Sequence, residues 1–190
     1  MKKILFAVLF GLIMSNSVIL HSQAYEKGQV TADFTTGFIG LYGYNNFAVR
    51  TIPLTFAAEY GFHEYVSAGV YASMFSQLFK IPGIPSYRIS YVPFGFRGCI
   101  HLTDLINQNL NLSLSATEID LYGGIHAGYV INSSRRLTSS GVLLVRERFY
   151  PIAGLFAGAR YYFLPNVAGV FEFGATPNGL FNFGLTLKLK

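Results

Sequence analysis

Five charged residues stand in strongly apolar surroundings: Glu59, Arg97, Asp120, Arg160 and Glu172. Each falls on the polar side of an alternating apolar–polar pattern. Charges in such a place are costly unless they pair. Glu59, Arg97, Arg160 and Glu172 lie at similar distances from short connections, so they should sit at one depth. The expectation is a network of Glu59 and Glu172 with Arg97 and Arg160. It would act as a structural plug, or as a gate whose rearranged pairs open a narrow pore. A second group is Arg135, Arg136, Arg146 and Arg148, opposed by Glu147 alone. Guanidinium binds phosphate bidentately, so this group is a candidate contact for a phosphate-rich surface.

Catalytic chemistry is poorly supported. A serine nucleophile needs a histidine beside it. His63 falls in a turn, His101 and His126 face the polar side, and no serine of suitable parity adjoins them in the chain. These histidines have no metal-ligand spacing. Cys99 reads as inert packing. No catalytic residue, metal or cofactor is expected.

Composition narrows what can position these groups. Of 190 residues, 52% are hydrophobic and 12% charged; a soluble domain carries about 25% charged residues. Disorder needs the opposite balance. A single Cys excludes an internal disulfide. Residues 1–24 (MKKILFAVLFGLIMSNSVILHSQA) have the layout of a secretory signal peptide. Lys2 and Lys3 are basic, residues 4–14 are apolar, and Ser22-Gln23-Ala24 fits a cleavage site. The apolar run stops at Ser15, short of the roughly 20 residues of a helical span. No Cys near the cleavage point suggests a lipid anchor. The expected organisation is a signal peptide, 1–24, and one domain, 25–190. Without Lys2 and Lys3 the chain keeps only a slight positive bias, and nucleic acid is not an expected partner.

The rest alternates with period two. The last ten residues set Phe181, Phe183, Leu185, Leu187 and Leu189 against Asn182, Gly184, Thr186, Lys188 and Lys190. This is a strand with two unlike faces. Seven more strands are expected near 28–42, 48–62, 65–75, 88–102, 118–131, 149–163 and 167–176. An even number of such strands behind a signal peptide fits a transmembrane β-barrel. Only helices and closed barrels satisfy every backbone polar group in a bilayer. A soluble lipocalin-type barrel also alternates, but its outer face would be rich in Lys and Glu.

Tight turns are expected at 63–64 and 164–166, on the periplasmic side. The connection 103–116 should carry a short helix over 104–110. Outer loops are expected at 43–46, 76–87, 132–148 and 177–179. The third is the longest, and the strand-like composition of 142–145 points to a hairpin above the membrane. Outward aromatics should form interface girdles: Tyr60, Phe62, Tyr161 and Phe163 on the periplasmic side, and Tyr42, Tyr129 and Tyr150 on the outer side. Eight strands enclose a space just wide enough for side chains, so an open diffusion pore is not expected.

Several stretches resemble the small eight-stranded outer-membrane β-barrels of OmpA and OmpX type, including their porin-like relatives. They are residues 53–62 (PLTFAAEYGF), 94–101 (FGFRGCIH), 121–129 (LYGGIHAGY), 158–163 (GARYYF) and the closing amphipathic strand. Their order and spacing carry the resemblance, which covers nearly all of 25–190. It implies an all-β, eight-stranded, antiparallel up-and-down barrel in the outer membrane of a Gram-negative-type envelope. Such a barrel is exported, inserted by the barrel-assembly machinery and monomeric. Its partners would be outer-membrane lipid and lipopolysaccharide, the latter through the loop arginines. The family often ends on an aromatic residue; this chain ends Leu189-Lys190, with Leu187 and Leu189 left to supply the apolar part of that signal. The expected role is structural or one of surface interaction through the outer loops. A narrow conduit for small or apolar solutes is the alternative, and a lipid A-modifying enzyme a remote third.

Overall fold

The computed structural model describes residues 24–38, 47–49, 51–79, 87–110, 114–137 and 143–189. The expected signal peptide up to residue 23, Tyr42 and the expected loop 43–46 lie outside the described residues.

The elements run β1 (Val30–Phe38), β2 (Phe47–Val49), β3 (Leu54–His63), β4 (Val66–Phe79), β5 (Tyr87–His101), α1 (Thr103–Leu110), β6 (Ile119–Leu137), β7 (Leu143–Leu164), β8 (Val167–Thr176) and β9 (Gly179–Lys188). Each long strand pairs antiparallel with its sequence neighbour, and β1 pairs with both β3 and β9. The first-to-last pairing closes the sheet into an eight-stranded up-and-down barrel. Where all eight described strands overlap, closure leaves no free edge, which is how strands avoid unpaired polar groups.

β2 is a short outlier on this plan. It continues the line of β3 and pairs with the far end of β4, from Phe47↔Phe79 to Val49↔Gln77. The ladder resumes only at Leu54↔Met74, so the described residues 51–53 fall opposite 75–76 outside the regular pairing. Pro53 has no N–H to give the ladder. Thr51 fills part of the gap, its Oγ1 accepting the Ser76 amide at 2.8 Å. The expected strand over 48–62 is therefore interrupted.

The turns are short where β strands meet on the side of the chain termini. Glu64-Tyr65 joins β3 to β4, and Pro165-Asn166 joins β7 to β8. At the opposite end Pro177-Asn178 joins β8 to β9, and Gly179 takes φ +149°, open to glycine. Helix α1 starts one residue earlier than expected, with Asp104 in its first turn, where a carboxylate suits the helix dipole.

The third outer loop is the hairpin that its strand-like composition pointed to. Residues 132–137 and 143–148 are strand, paired from Asn132↔Arg148 to Leu137↔Leu143. β8 pairs with β7 only from Phe156 to Leu164. The β6–β7 hairpin thus runs well past the β8–β9 turn. Residues 76–79, expected in the second loop, likewise belong to β4.

The faces follow the parity of the sequence. Thr31, Asp33, Glu59, Ser67, Arg97, Asp120, Arg160, Glu172 and Thr186 are buried within the barrel. The core of this protein is therefore largely polar and lies in the lumen.

Candidate functional site

The sheet register brings the expected lumen charges together. Glu59, Gly69 and Arg97 share one row across β3, β4 and β5. Gly69 has no side chain to separate its neighbours, and Arg97 Nε reaches Glu59 Oε1 at 2.9 Å. Arg97 Nη2 also donates to Glu172 Oε1 at 2.7 Å. Asp120 and Arg160 are direct cross-strand partners. Arg160 Nη1 donates to Asp120 Oδ2 at 3.1 Å, and its Nη2 lies 3.1 Å from Glu59 Oε1.

Asp33 is a member of the network that sequence reasoning did not count. Arg160 Nη2 meets Asp33 Oδ2 at 2.8 Å, and Thr186 Oγ1 donates to Asp33 Oδ1 at 2.7 Å. Arg160 and Asp33 are 1% exposed each. Tyr122 adds a hydroxyl to Glu172 at 3.0 Å. Aromatic rings cover both guanidiniums: Arg160 sits 4.3 Å from the Tyr122 ring centre and Arg97 4.6 Å from that of Phe156. Room for these rings comes from two inward glycines. A Cβ on Gly158 would lie 2.3 Å from Tyr122, and one on Gly124 2.4 Å from Phe156.

A second group, also unforeseen, extends the network toward the end of the barrel where the chain termini lie. His101 Nδ1 meets Asp120 Oδ1 at 2.7 Å, and its Nε2 meets Ser67 Oγ at 3.0 Å. The expectation that no serine adjoins a histidine is thus wrong in space. Ser67 and His101 are 34 residues apart, and only the β4–β5 register joins them. The order Ser–His–Asp suggests an acyl-transfer triad, but its polarity is wrong. Ser67 donates its proton to Glu59 Oε2 at 2.8 Å. Glu59, held between two guanidiniums, is an acceptor. Ser67 is also only 2% exposed. This arrangement holds charge; it does not activate a nucleophile.

Toward the opposite end, away from the chain termini, the lumen fills with rings. Tyr71 stands edge-on to His126, with centres 5.5 Å apart. Phe75 stacks on Tyr91 at 4.8 Å, and both pack with Val130, Ile89, Tyr150 and Ile152. Tyr150 was expected in the outer girdle; it packs here instead, because its even parity points inward. The cavities on either side of the charge network hold about one water each. One touches Tyr25, His101 and Asp120, and the other Arg97, His126 and Glu172. Cys99 is 1% exposed among Tyr122, Phe156 and Val170.

The loop arginines are not drawn into a described cluster. Arg146 and Arg148 are exposed, opposite Ser134 and Asn132. The backbone of Arg135 and Arg136 lies in β6, opposite Val145 and Leu144; their side chains lie outside the described residues.

The barrel exterior is the reverse of a soluble surface. Phe96 is 73% exposed, Leu155 69% and Ile125 60%. Phe34, Phe56, Val70, Phe171, Phe183 and Leu185 continue the apolar belt around the wall. Outward positions from Leu54 to Phe62, Val92 to Ile100 and Leu121 to Ile131 carry no charged residue. Soluble monomers do not leave apolar surface of this extent to water, and a lipocalin would bury it inside. The chain is a small transmembrane β-barrel. Tyr60, Phe62, Tyr161 and Phe163, all exposed, form the aromatic rim of this barrel near the β3–β4 and β7–β8 turns.

No family model and no curated protein matches the sequence. The barrel is similar to solved structures of other small barrels. The attachment invasion locus protein Ail of Yersinia pestis, in complex with the heparin analogue sucrose octasulfate, is 12% identical with a TM-score of 0.46; the match covers 84% of this chain and 93% of that one. The N-terminal β-barrel domain of Pseudomonas aeruginosa OprF is 10% identical with a TM-score of 0.46, covering 87% and 100%. The de novo designed barrel TMB2.3 is 18% identical with a TM-score of 0.42, covering 88% and 98%. The assignment of this barrel rests on its own strand pairing and its apolar exterior.

Proposed function

We propose that this barrel resides in the outer membrane of a Gram-negative-type envelope and acts by surface contact, not by conduction. The projecting β6–β7 hairpin is the observation that carries this reading. It lifts exposed Arg146, Glu147 and Arg148 beyond the β8–β9 turn. The same stretch of β6 also pairs with β5, from Asn132↔Tyr91 to Arg136↔Tyr87, so the wall stands taller on this side than at the β8–β9 turn.

The lumen argues the same way. Glu59, Arg97, Asp120, Arg160 and Glu172, with Asp33, form a structural plug, and the ring cluster around Tyr91 closes the space beyond it. The four arginines 135, 136, 146 and 148 would meet phosphate groups of lipopolysaccharide in the outer leaflet. The chain would reach this membrane by export, cleavage after Ala24 and insertion by the barrel-assembly machinery, and work there as a monomer without enzymatic activity.

The test is co-purification. Wild-type barrel extracted from outer membranes should carry lipopolysaccharide, and a variant with all four arginines changed to Gln should carry much less. Equal amounts on both would refute the contact.

A further inference from the structure

The outer face of the wall changes character row by row along β5 and β6. Cross-strand partners share a face, so each row can be followed from one strand to the next. Val92 pairs with Ile131 and Ile131 with Phe149, and all three are exposed and apolar. The next outward row, away from the chain termini, is Ser90, Ser133 and Glu147. The row after that sets Arg88 directly opposite Arg135. Arg88 is partly exposed and stands outside the group of four arginines on β6 and β7. Like charges directly opposite on paired strands are destabilising. Glu147 is the one carboxylate in these rows among the described residues, so the pair of arginine positions keeps a net positive charge. An anion placed at the pair removes the repulsion, and phosphate matches the guanidinium fork.

Further down the same strands the wall carries a groove. Ala127 and Ala153 are cross-strand partners, and Pro151 lies in the next row opposite Tyr129. All four are exposed, and the three small side chains leave a dip in the surface. Phe94 and Phe96 of β5 line one side, and Tyr129 stacks on Phe149 with ring centres 4.5 Å apart. The groove is lined almost wholly by apolar side chains and holds about 970 Å³, whereas each lumen cavity holds about one water. From Arg88 to Phe94 the strand advances by about 20 Å. With the strand tilt of a membrane barrel this is about 15 Å of height, close to one leaflet of hydrocarbon. A positive pair at one end and an apolar groove at the other, on one strand pair, ask for a single ligand that carries both chemistries.

We propose that the outer face of β5–β7 is a binding site for one molecule of lipopolysaccharide, with a lipid A phosphate between Arg88 and Arg135 and an acyl chain in the groove over Ala127 and Ala153. The site rests on the outer-membrane reading above and deepens it. Arg135 belongs to this membrane-facing site with Arg88, while Arg146 and Arg148 remain with the projecting hairpin.

Native mass spectrometry tests the site by counting lipid bound to the refolded mature chain in dodecylmaltoside micelles. The micelles are titrated separately with lipid A, with dephosphorylated lipid A and with dioleoylphosphatidylglycerol. Wild type should hold one lipid A in preference to the other two. Arg88→Gln should weaken lipid A binding roughly tenfold, the worth of one charge-assisted hydrogen bond, and leave dephosphorylated lipid A unchanged. Ala127→Phe puts a ring into the groove at a lipid-facing position and should weaken both forms of lipid A. A heat-dependent gel shift confirms that each variant is folded. Wild-type affinity for lipid A in either variant overturns the site, and equal binding of phosphatidylglycerol overturns the choice of lipopolysaccharide. Arg146→Gln combined with Arg148→Gln separates this site from the hairpin contact. Weakening in that variant alone overturns the groove site and leaves the hairpin contact standing. Weakening in Arg88→Gln and Ala127→Phe alone supports the groove site and counts against the hairpin contact.

Discussion

Arg160 touches carboxylates from three other strands: Asp33 on β1, Glu59 on β3 and Asp120 on β6. Its removal leaves three acidic groups with one cation fewer in a space closed to water. Breaking a buried pair from one side costs about 3–5 kcal/mol. Arg160→Met should therefore lose at least that much in urea unfolding from detergent, or fail to refold. A loss below about 1 kcal/mol, the worth of an exposed pair, would show that the lumen is wet and screened. Arg97 offers a different test. Arg97→Ala removes a side chain from the plug, but the rings around Phe75 and Tyr91 still fill the outer half of the lumen. Planar-bilayer recordings should show no steady pore current in wild type or variant. A current that appears only in Arg97→Ala would mean the network is a gate.

Each element has a separate job, and the β6–β7 hairpin can be removed without opening the wall. The described residues 136–137 and 143–144 lie beyond the reach of β8, whose pairing with β7 ends at Phe156. Replacing the segment 136–144 by Asn-Gly, a dipeptide suited to a two-residue hairpin, should leave the barrel able to fold. Retained lipopolysaccharide should fall in the same preparation. A truncated chain that no longer gives a folded band would assign the hairpin a role in assembly. The interruption between β2 and β3 was only partly legible: Pro53 signals a lost ladder bond, but only the pairing with β4 shows where the ladder stops at Val49↔Gln77 and resumes at Leu54↔Met74. Likewise, the strand-like composition of 142–145 hinted at the hairpin, yet its length depends on both strands staying paired to Leu137↔Leu143.

At the scale of the whole molecule, closure and an apolar exterior predict unusual resistance to detergent. Refolded mature chain should migrate differently on SDS–PAGE when unheated and when boiled. A single position in both lanes, with the protein in the soluble periplasmic fraction, would overturn the membrane assignment. Alternation alone told which residues face in and which face out, because side chains on a strand change sides at every step. That is a local property, carried by each ten-residue stretch, and so the strand set, the lipid-facing belt and the inward charges were readable in the chain. Which inward residues meet was readable only for Glu59 and Glu172 with Arg97 and Arg160, and not for the other members of the network. Asp33 reaches Arg160 across 127 positions of sequence, and Ser67 reaches His101 only through the offset of β4 against β5. Those contacts depend on register and on the pairing of β1 with β9, and a shift of two residues would keep every face correct while breaking every pair. The strand's own periodicity determines the faces; the closed sheet alone decides the partners.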